Sequence, residues 1–311
     1  MSVSADRLIL GTAQLGLSYG IANQNGKPDR SEAIALVHTA LAAGVRVLDT
    51  ARCYGDSEEV LHDALQAAPG DLAQQATVIT KVNTPEPEEA AALSDAALAD
   101  LARDGVRASC QVLGVETLPV VLIREAWPLR RPNGFWQALL EMREQGLIGT
   151  LGLSAQAAEE ADLAAACPDI GHLQIPFNLL DYRWRDGGAL DRLASRPDIT
   201  LHVRSVFLQG LLLGGDRVLW PAVANGCGPA VQAALLRAKD ELGRASLADL
   251  CLAYVLGYPQ VAGVVLGMET SAQLGDNLAL LARPPLTVDQ RKAVDAMVPR
   301  VPEALLNPGQ W

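Results

Sequence analysis

"GVRVLDTARCYGDSEEVL", residues 44–61, changes character once along its length. Val45, Val47 and Leu48 form a near-continuous apolar run, as expected of a strand covered on both faces. The run ends in Asp49, Arg52, Cys53, Tyr54 and Asp56. Ser57, Glu58 and Glu59 then suit a helix start, since a hydroxyl can cap it and carboxylates favour the positive end of its dipole. A strand end followed by a helix cap accounts for these residues without any chemistry. Whether more is needed depends on the rest of the chain.

The unit recurs. Apolar runs of strand length stand at Leu8 to Gly11, Val45 to Thr50, Thr77 to Lys81 and Pro119 to Arg124, then at Gly149 to Ser154, His172 to Ile175, Ile199 to Ser205 and Val261 to Gly267. Ala- and Leu-rich segments of helical period separate them. In "RSEAIALVHTALAAG", Ser31 is the expected cap and Gly44 the expected stop. Alternation of this kind requires parallel strands with helical crossovers, and eight such units in 311 residues fit an α/β fold closed as a (β/α)8 barrel of the TIM type. The competing open, doubly wound sheet lacks its fingerprint, because the glycines after the first strand stand at Gly11, Gly16 and Gly20 and not in G-x-G-x-x-G spacing. No repeat, low-complexity tract or charge block divides the chain, so residues 1–311 read as a single domain. The widest gap between strands, 207–260, opens with "LLLGGDRVLWPAVANGCGP" and continues into two helical segments; a loop that long is often an active-site cover.

Bulk composition narrows the class of partner. Half of the residues are apolar, enough for a large core. A net charge of −11, from 25 basic against 36 acidic residues, argues against nucleic acid and anionic membranes and for a small-molecule substrate. The five cysteines lie far apart with no C-x-x-C spacing, so neither a metal site nor a disulfide framework is signalled and a reducing, cytoplasmic setting is expected. The N-terminal "MSVSADRLIL" lacks the basic-then-apolar order of a leader, and no stretch approaches the roughly eighteen apolar residues of a membrane span.

With the strands placed, Asp49, Lys81, Arg124, Ser154, Gln174 and Arg204 all fall at or near the C-terminal ends of successive strands. In this architecture those ends form one mouth, where chemistry takes place. Lys81 is the sharpest case, because the chain has only Lys27, Lys81, Lys239 and Lys292, and this one closes an apolar strand. A structural ion pair would also explain it. A phenol yields its proton more readily when an ammonium stabilises the phenolate, so Tyr54 beside Lys81, with Asp49 holding the lysine, suits protonation of the oxyanion formed when a carbonyl receives a hydride.

The ordered segments "GTAQLG", "LDTARCYGDSEEVL", "VITK", "GLIGTLGLS", "LQIPFNLLDYR", "RSVFLQGLLL" and "GDN" resemble the aldo-keto reductases, from Leu8 to about Leu280. The resemblance implies a (β/α)8 barrel, an NADP (or NAD) cofactor bound across the mouth without a Rossmann motif, and reversible reduction of a small aldehyde, ketone or sugar-like carbonyl. It puts Asp49, Tyr54 and Lys81 on the family's catalytic positions, with Tyr54 as general acid. Ser154 and Gln174 fall on positions that bind the nicotinamide carboxamide, with Asn178 nearby, and Gly267, Gln273 and Asn277 on the phosphate and adenine loop.

The chain departs from the family pattern in three places. Arg124 stands where a catalytic His ends the fourth strand. Arg204 occupies a position often held by a Tyr stacked on the nicotinamide, which a planar guanidinium can also do. Gln273 and Gly267 replace the basic residues that commonly bind a 2′-phosphate, so the choice between NADP and NAD is open. Three roles are open to Arg124: clamping an oxyanion, recruiting an anionic substrate, or pairing with Asp49 or Glu125 in a nearly inactive site. His38, His62, His172 and His202 read as surface or core residues, and Tyr19, Trp127, Trp184 and Trp220 as candidates for a pocket lining. The reading is an NAD(P)H-dependent reductase; the alternative is a cofactor-binding regulatory protein, or an inactive reductase, on the same barrel.

Overall fold

Eight parallel strands close on themselves in chain order: β1 Leu8–Gly11, β2 Val47–Asp49, β3 Thr77–Lys81, β4 Leu118–Ile123, β5 Ile148–Ser154, β6 Ile170–Pro176, β7 Thr200–Arg204 and β8 Val261–Gly267. β8 returns to pair with β1, Gly11 against Gly267, which removes the edges an open sheet would expose. The structure, a computed structural model, describes residues 5–20, 26–214 and 219–311. The sequence-based strands agree with these to within about two residues at each end. Residues 1–4 of the N-terminal segment, and 215–218 of the long loop after β7, lie outside the described residues.

Two apolar layers follow from the pleat, because successive side chains of a strand point to opposite faces. Residues facing outward, such as Leu48, Val78, Val121 and Leu153, join the helices in one continuous core. Inside the ring, Val47, Ile79, Val120 and Leu122 form a separate small cluster. Asp49 and Lys81 lie two residues beyond Val47 and Ile79, so the same alternation carries them to the inner face at the mouth. His172 and His202 also face inward, one step below Gln174 and Arg204. Their rings meet edge to face with centroids 4.5 Å apart, both side chains nearly sealed from solvent.

Two expected helix caps are corrected. The helix Arg30–Ala42 is capped by Asp29, whose carboxylate accepts from the Glu32 N–H at 2.8 Å, and Ser31 donates to that carboxylate instead of capping. Gly44 does end the segment, at φ 99°. Ser57 is the first residue of the helix Ser57–Gln66, and its hydroxyl is buried among those of Thr12 and Thr50 at 2.6 and 3.0 Å. In both cases a partner elsewhere competes successfully for the serine. The gap after β7 contains the helices Gly228–Glu241 and Leu247–Leu256. No described helix is long and apolar enough to cross a membrane.

Candidate active site

The turns after β1 and β2 are locked together beneath the mouth. Thr12 donates to the Asp49 carbonyl at 2.9 Å, and its hydroxyl meets Ser57. The approach is so close that a Cβ on Gly16 would lie 1.8 Å from the Tyr54 carbonyl oxygen. Gly55, at φ 59°, completes this contact from the other side, where a side chain would strike the Gly16 carbonyl. Tyr54 is therefore held from below by backbone.

The Lys81 ammonium lies 2.7 and 2.8 Å from the two Asp49 carboxylate oxygens and 2.9 Å from the Thr50 carbonyl. An ammonium has three protons, and all three have acceptors here. Both side chains are almost wholly buried, Asp49 at 3% and Lys81 at 2% exposure, so the pair is little screened. Burial alone would lower the Lys81 ammonium, but the Asp49 carboxylate together with the Tyr54 phenol outweighs it and holds the ammonium above its ordinary value. Nζ stands 5.1 Å from the centre of the Tyr54 ring. Lys81 thus acts on the phenol through its field, with no proton left to direct at it.

Gln174 reaches across the barrel, and its Nε2 donates to Asp49 Oδ2 at 2.7 Å. Its Oε1 is buried without a partner among the described residues. Ser154, its register neighbour, lies on the wall of a cavity of about 440 Å³ at the mouth. Asp49, Tyr54, Lys81, Arg124 and Arg204 share that wall, which runs round to Gly267, Glu269 and Gln273. Gln174, fully buried, does not line it, and neither do Asn178 and Asn277. Asn178 accepts from the Leu180 N–H at 3.0 Å and donates to the Ser205 carbonyl at 3.3 Å, so it shapes the loop after β6. Asn277 lies more than a turn inside the helix Ser271–Leu281. Gln273 caps that helix together with Thr270, and its Oε1 accepts from the Glu269 and Thr270 N–H groups.

Arg124 just follows β4, is exposed, and pairs with neither Asp49 nor Glu125. Its backbone N–H donates to Thr84 Oγ1 at 3.0 Å, and one guanidinium nitrogen lies 3.3 Å from Cys53 Sγ. Arg204 donates to the Ala155 carbonyl at 3.1 Å, and burial pulls its guanidinium below the ordinary value. The turn after it is strained: Ser205, Leu208 and Gln209 all have positive φ, at 59°, 47° and 54°. Conformations of this cost concentrate at functional sites, and Ser205 and Gln209 both face the cavity.

Of the aromatic candidates, Tyr19 lines the cavity. Trp184 is fully buried, Trp127 donates to the Pro85 carbonyl at 2.8 Å, and Trp220 packs against Gly228. Sequence reasoning missed Thr12, Gln14 and Glu269 on the cavity wall. Thr12 and Gln14 stand in the quoted "GTAQLG" and Glu269 just beyond β8, so their position after strands was the available signal.

A model of the family described as Aldo/keto reductase family matches residues 7–299. The chain is 28% identical over 211 residues to pyridoxine 4-dehydrogenase of Escherichia coli (strain K12), covering 62% of this chain and 70% of that protein. It is 30% identical over 227 residues to an aldo-keto reductase of Mycobacterium sp. (strain KMS), covering 71% and 73%. The structure of an aldo-keto reductase from Bacillus halodurans, in its holo form, superposes with a TM-score of 0.73 at 20% identity, covering 94% of this chain and 92% of that one.

Proposed function

Since the chain belongs to the aldo/keto reductase family, oxidoreductases that act on carbonyl groups, we propose that residues 1–311 form one barrel domain that reduces a small aldehyde, ketone or sugar-like carbonyl with NADPH or NADH, and that Tyr54 supplies the proton. The observation that carries this reading is the buried Asp49–Lys81 pair set against the Tyr54 ring on the cavity wall. One relative is a dehydrogenase by name, and one structural neighbour is a holo form, in keeping with it.

The residues fit a nicotinamide dinucleotide. The cavity wall extends from Tyr54 and Lys81 to Gly267 and Gln273, where the helix Ser271–Leu281 begins and its N-terminal dipole favours phosphate. Ser154 would hold the carboxamide, with Arg204 against the ring and Gln174 beneath the wall as the brace of Asp49. Gly267 and Gln273 would border the phosphate and adenine end. Asn178 and Asn277 are not assigned a contact. Among the described residues on the wall, the cations are Lys81, Arg124 and Arg204, none of them in the loop after β8, whereas Glu269 is an anion near Gln273 in that loop. A 2′-phosphate would gain no charge-assisted partner from these residues, so NADPH and NADH should bind within about tenfold of each other.

When bound, the cofactor supplies a hydride to the carbonyl carbon. Tyr54 then gives its proton to the carbonyl oxygen, which would otherwise carry a full negative charge. Lys81 stabilises the phenolate left behind; its own protons stay with Asp49 and Thr50, so it neither moves nor loses its charge. Gln174 fixes Asp49, and Asp49 fixes Lys81.

Tyr54→Phe should lower kcat for carbonyl reduction by at least about a hundredfold, as loss of a general acid does, with nucleotide affinity changed less than twofold in a fluorescence titration. Retained turnover would mean that the proton comes from another group. Tight nucleotide binding with no turnover across aldehydes, ketones and lactols would favour the regulatory alternative, and no binding at millimolar nucleotide would overturn the reading.

A further inference from the structure

The cavity wall carries two arginines with no acidic partner. Many arginines elsewhere are neutralised: Arg52, Arg103, Arg143, Arg183, Arg192 and Arg196 each lie within ion-pair distance of an Asp or Glu. Arg124 and Arg204 do not, among the described residues, although the chain as a whole carries a charge of −11. Asp49 is a carboxylate of the same wall, and both its oxygens are taken by Lys81 and Gln174. Glu125 adjoins Arg124 and feels its charge, but forms no ion pair with it; burial and the neighbouring Glu86 and Glu160 raise the Glu125 carboxyl instead. With Asp49 and Lys81 cancelling, this end of the cavity keeps two uncompensated positive charges.

The two guanidiniums are not equivalent. Arg204 is half-buried, is tied to the Ala155 carbonyl, and stands where the ring of the cofactor would lie. Arg124 is exposed, and among the described residues its guanidinium donates a hydrogen bond to the soft acceptor Cys53 Sγ and to no carboxylate. It keeps most of its five donors for a ligand in a planar fork suited to carboxylate and phosphate oxygens. An anionic group would also be drawn toward the mouth against the acidic remainder of the surface.

Resting on the reductase reading, we infer that the substrate is an anionic carbonyl compound, an aldehyde or ketone bearing a carboxylate or phosphate a few bonds from the carbonyl, and that Arg124 binds its anionic group. Arg124 then sets specificity, while Tyr54 does the chemistry. Its place beside Cys53, one residue before Tyr54, puts the anion and the carbonyl of one short molecule within reach of both.

The test compares matched pairs: butanal with 4-oxobutanoate, and glyceraldehyde with its 3-phosphate. In the unaltered protein the anionic member of at least one pair should have a kcat/KM tenfold or more above its neutral partner, and that ratio should fall as salt is added. Arg124→Gln should collapse the ratio at least tenfold, and Arg124→Lys should restore part of it, which a purely structural role would not allow. Which pair shows the preference identifies carboxylate or phosphate. A ratio near one in the unaltered protein, or an unchanged ratio in Arg124→Gln, overturns the inference. So does a tenfold loss of nucleotide affinity in Arg124→Gln, which would assign Arg124 to the cofactor phosphates. Should no carbonyl be turned over, calorimetric titration of succinate and of glycerol 3-phosphate, with and without nucleotide, reads the same contact separately from the reductase reading. Binding weakened tenfold by Arg124→Gln supports the anion site, and absence of binding by both refutes it.

Discussion

Lys81→Met removes one member of a pair that is almost completely out of water. The change deletes the ammonium and leaves Asp49 with a single donor, Gln174 Nε2, for a buried carboxylate. Breaking a buried pair by removing one partner costs about 3–5 kcal/mol, mainly because the remaining charge is uncompensated. In a chain of this length that corresponds to a Tm lowered by roughly 5–8 °C. Asp49→Asn/Lys81→Met removes both charges and keeps an oxygen for Gln174, so it should recover most of the loss, with a coupling energy of about 2 kcal/mol or more in the cycle. Urea denaturation followed by circular dichroism at pH 7 measures all four proteins, and unchanged m values confirm that the same transition is compared. The sign with pH follows from the raised Lys81 pKa. Its stabilisation is fully present below the ordinary lysine value of 10.5 and disappears only as pH rises through the folded value, so the cost should be flat across neutral pH. A Lys81→Met protein within 2 °C of the parent, or a double variant no more stable than the single one, would refute this account of the pair.

Two further outcomes test the support beneath the site. Burial pushes His202 from 6.5 down to about 4, and His172 is shifted in the same direction by burial and by its neighbours His202 and Lys81. Because the unfolded chain takes up these protons first, stability should fall as pH drops from about 6.5 to 4, by ~3 kcal/mol for His202 alone; His202→Leu should flatten that slope in denaturation curves measured at each pH. Gly16→Ala places a methyl group into the Tyr54 carbonyl and should cost about 1–3 kcal/mol. It should also lower kcat more than it alters nucleotide affinity, and a variant with parental kcat would show that the turn does not set the position of Tyr54.

The barrel was legible because each strand is short, apolar on both faces and followed by polar residues, a pattern that survives without any partner information. Asp49 and Lys81 were legible as a pair for the same reason: pleat alternation and strand order alone bring adjacent strand ends together. Partner choice across long separations was not. Nothing local distinguishes Gln174, which spends its amide N–H on Asp49, from a residue facing only the cavity. Ser31 and Ser57 each suit a cap by type, yet Asp29 stands one residue before the helix Arg30–Ala42 and Thr12 reaches Ser57 from another strand end. The fate of Arg124 was undecidable for a related reason. Glu125 is its chain neighbour and Asp49 ends a nearby strand, and only the folded arrangement shows Asp49 already engaged.

The bond from Gln174 to Asp49 joins β6 to β2, strands four places apart in a ring of eight and 125 residues apart in the chain. It is a chord across the mouth, and it can form only once both halves of the ring have come together. A fragment ending after β4 contains Asp49, Tyr54, Lys81 and Arg124 but lacks Ser154, Gln174 and Arg204. Half-barrels therefore carry the reactive groups without the brace that orients them, and during refolding the appearance of catalysis should coincide with ring closure and trail the recovery of helix signal. Contacts this distant are slow to form because the entropy of closing the intervening loop must be overcome first. Activity in this protein is thus a late-forming property, and its recovery serves as a kinetic marker for the completed circle.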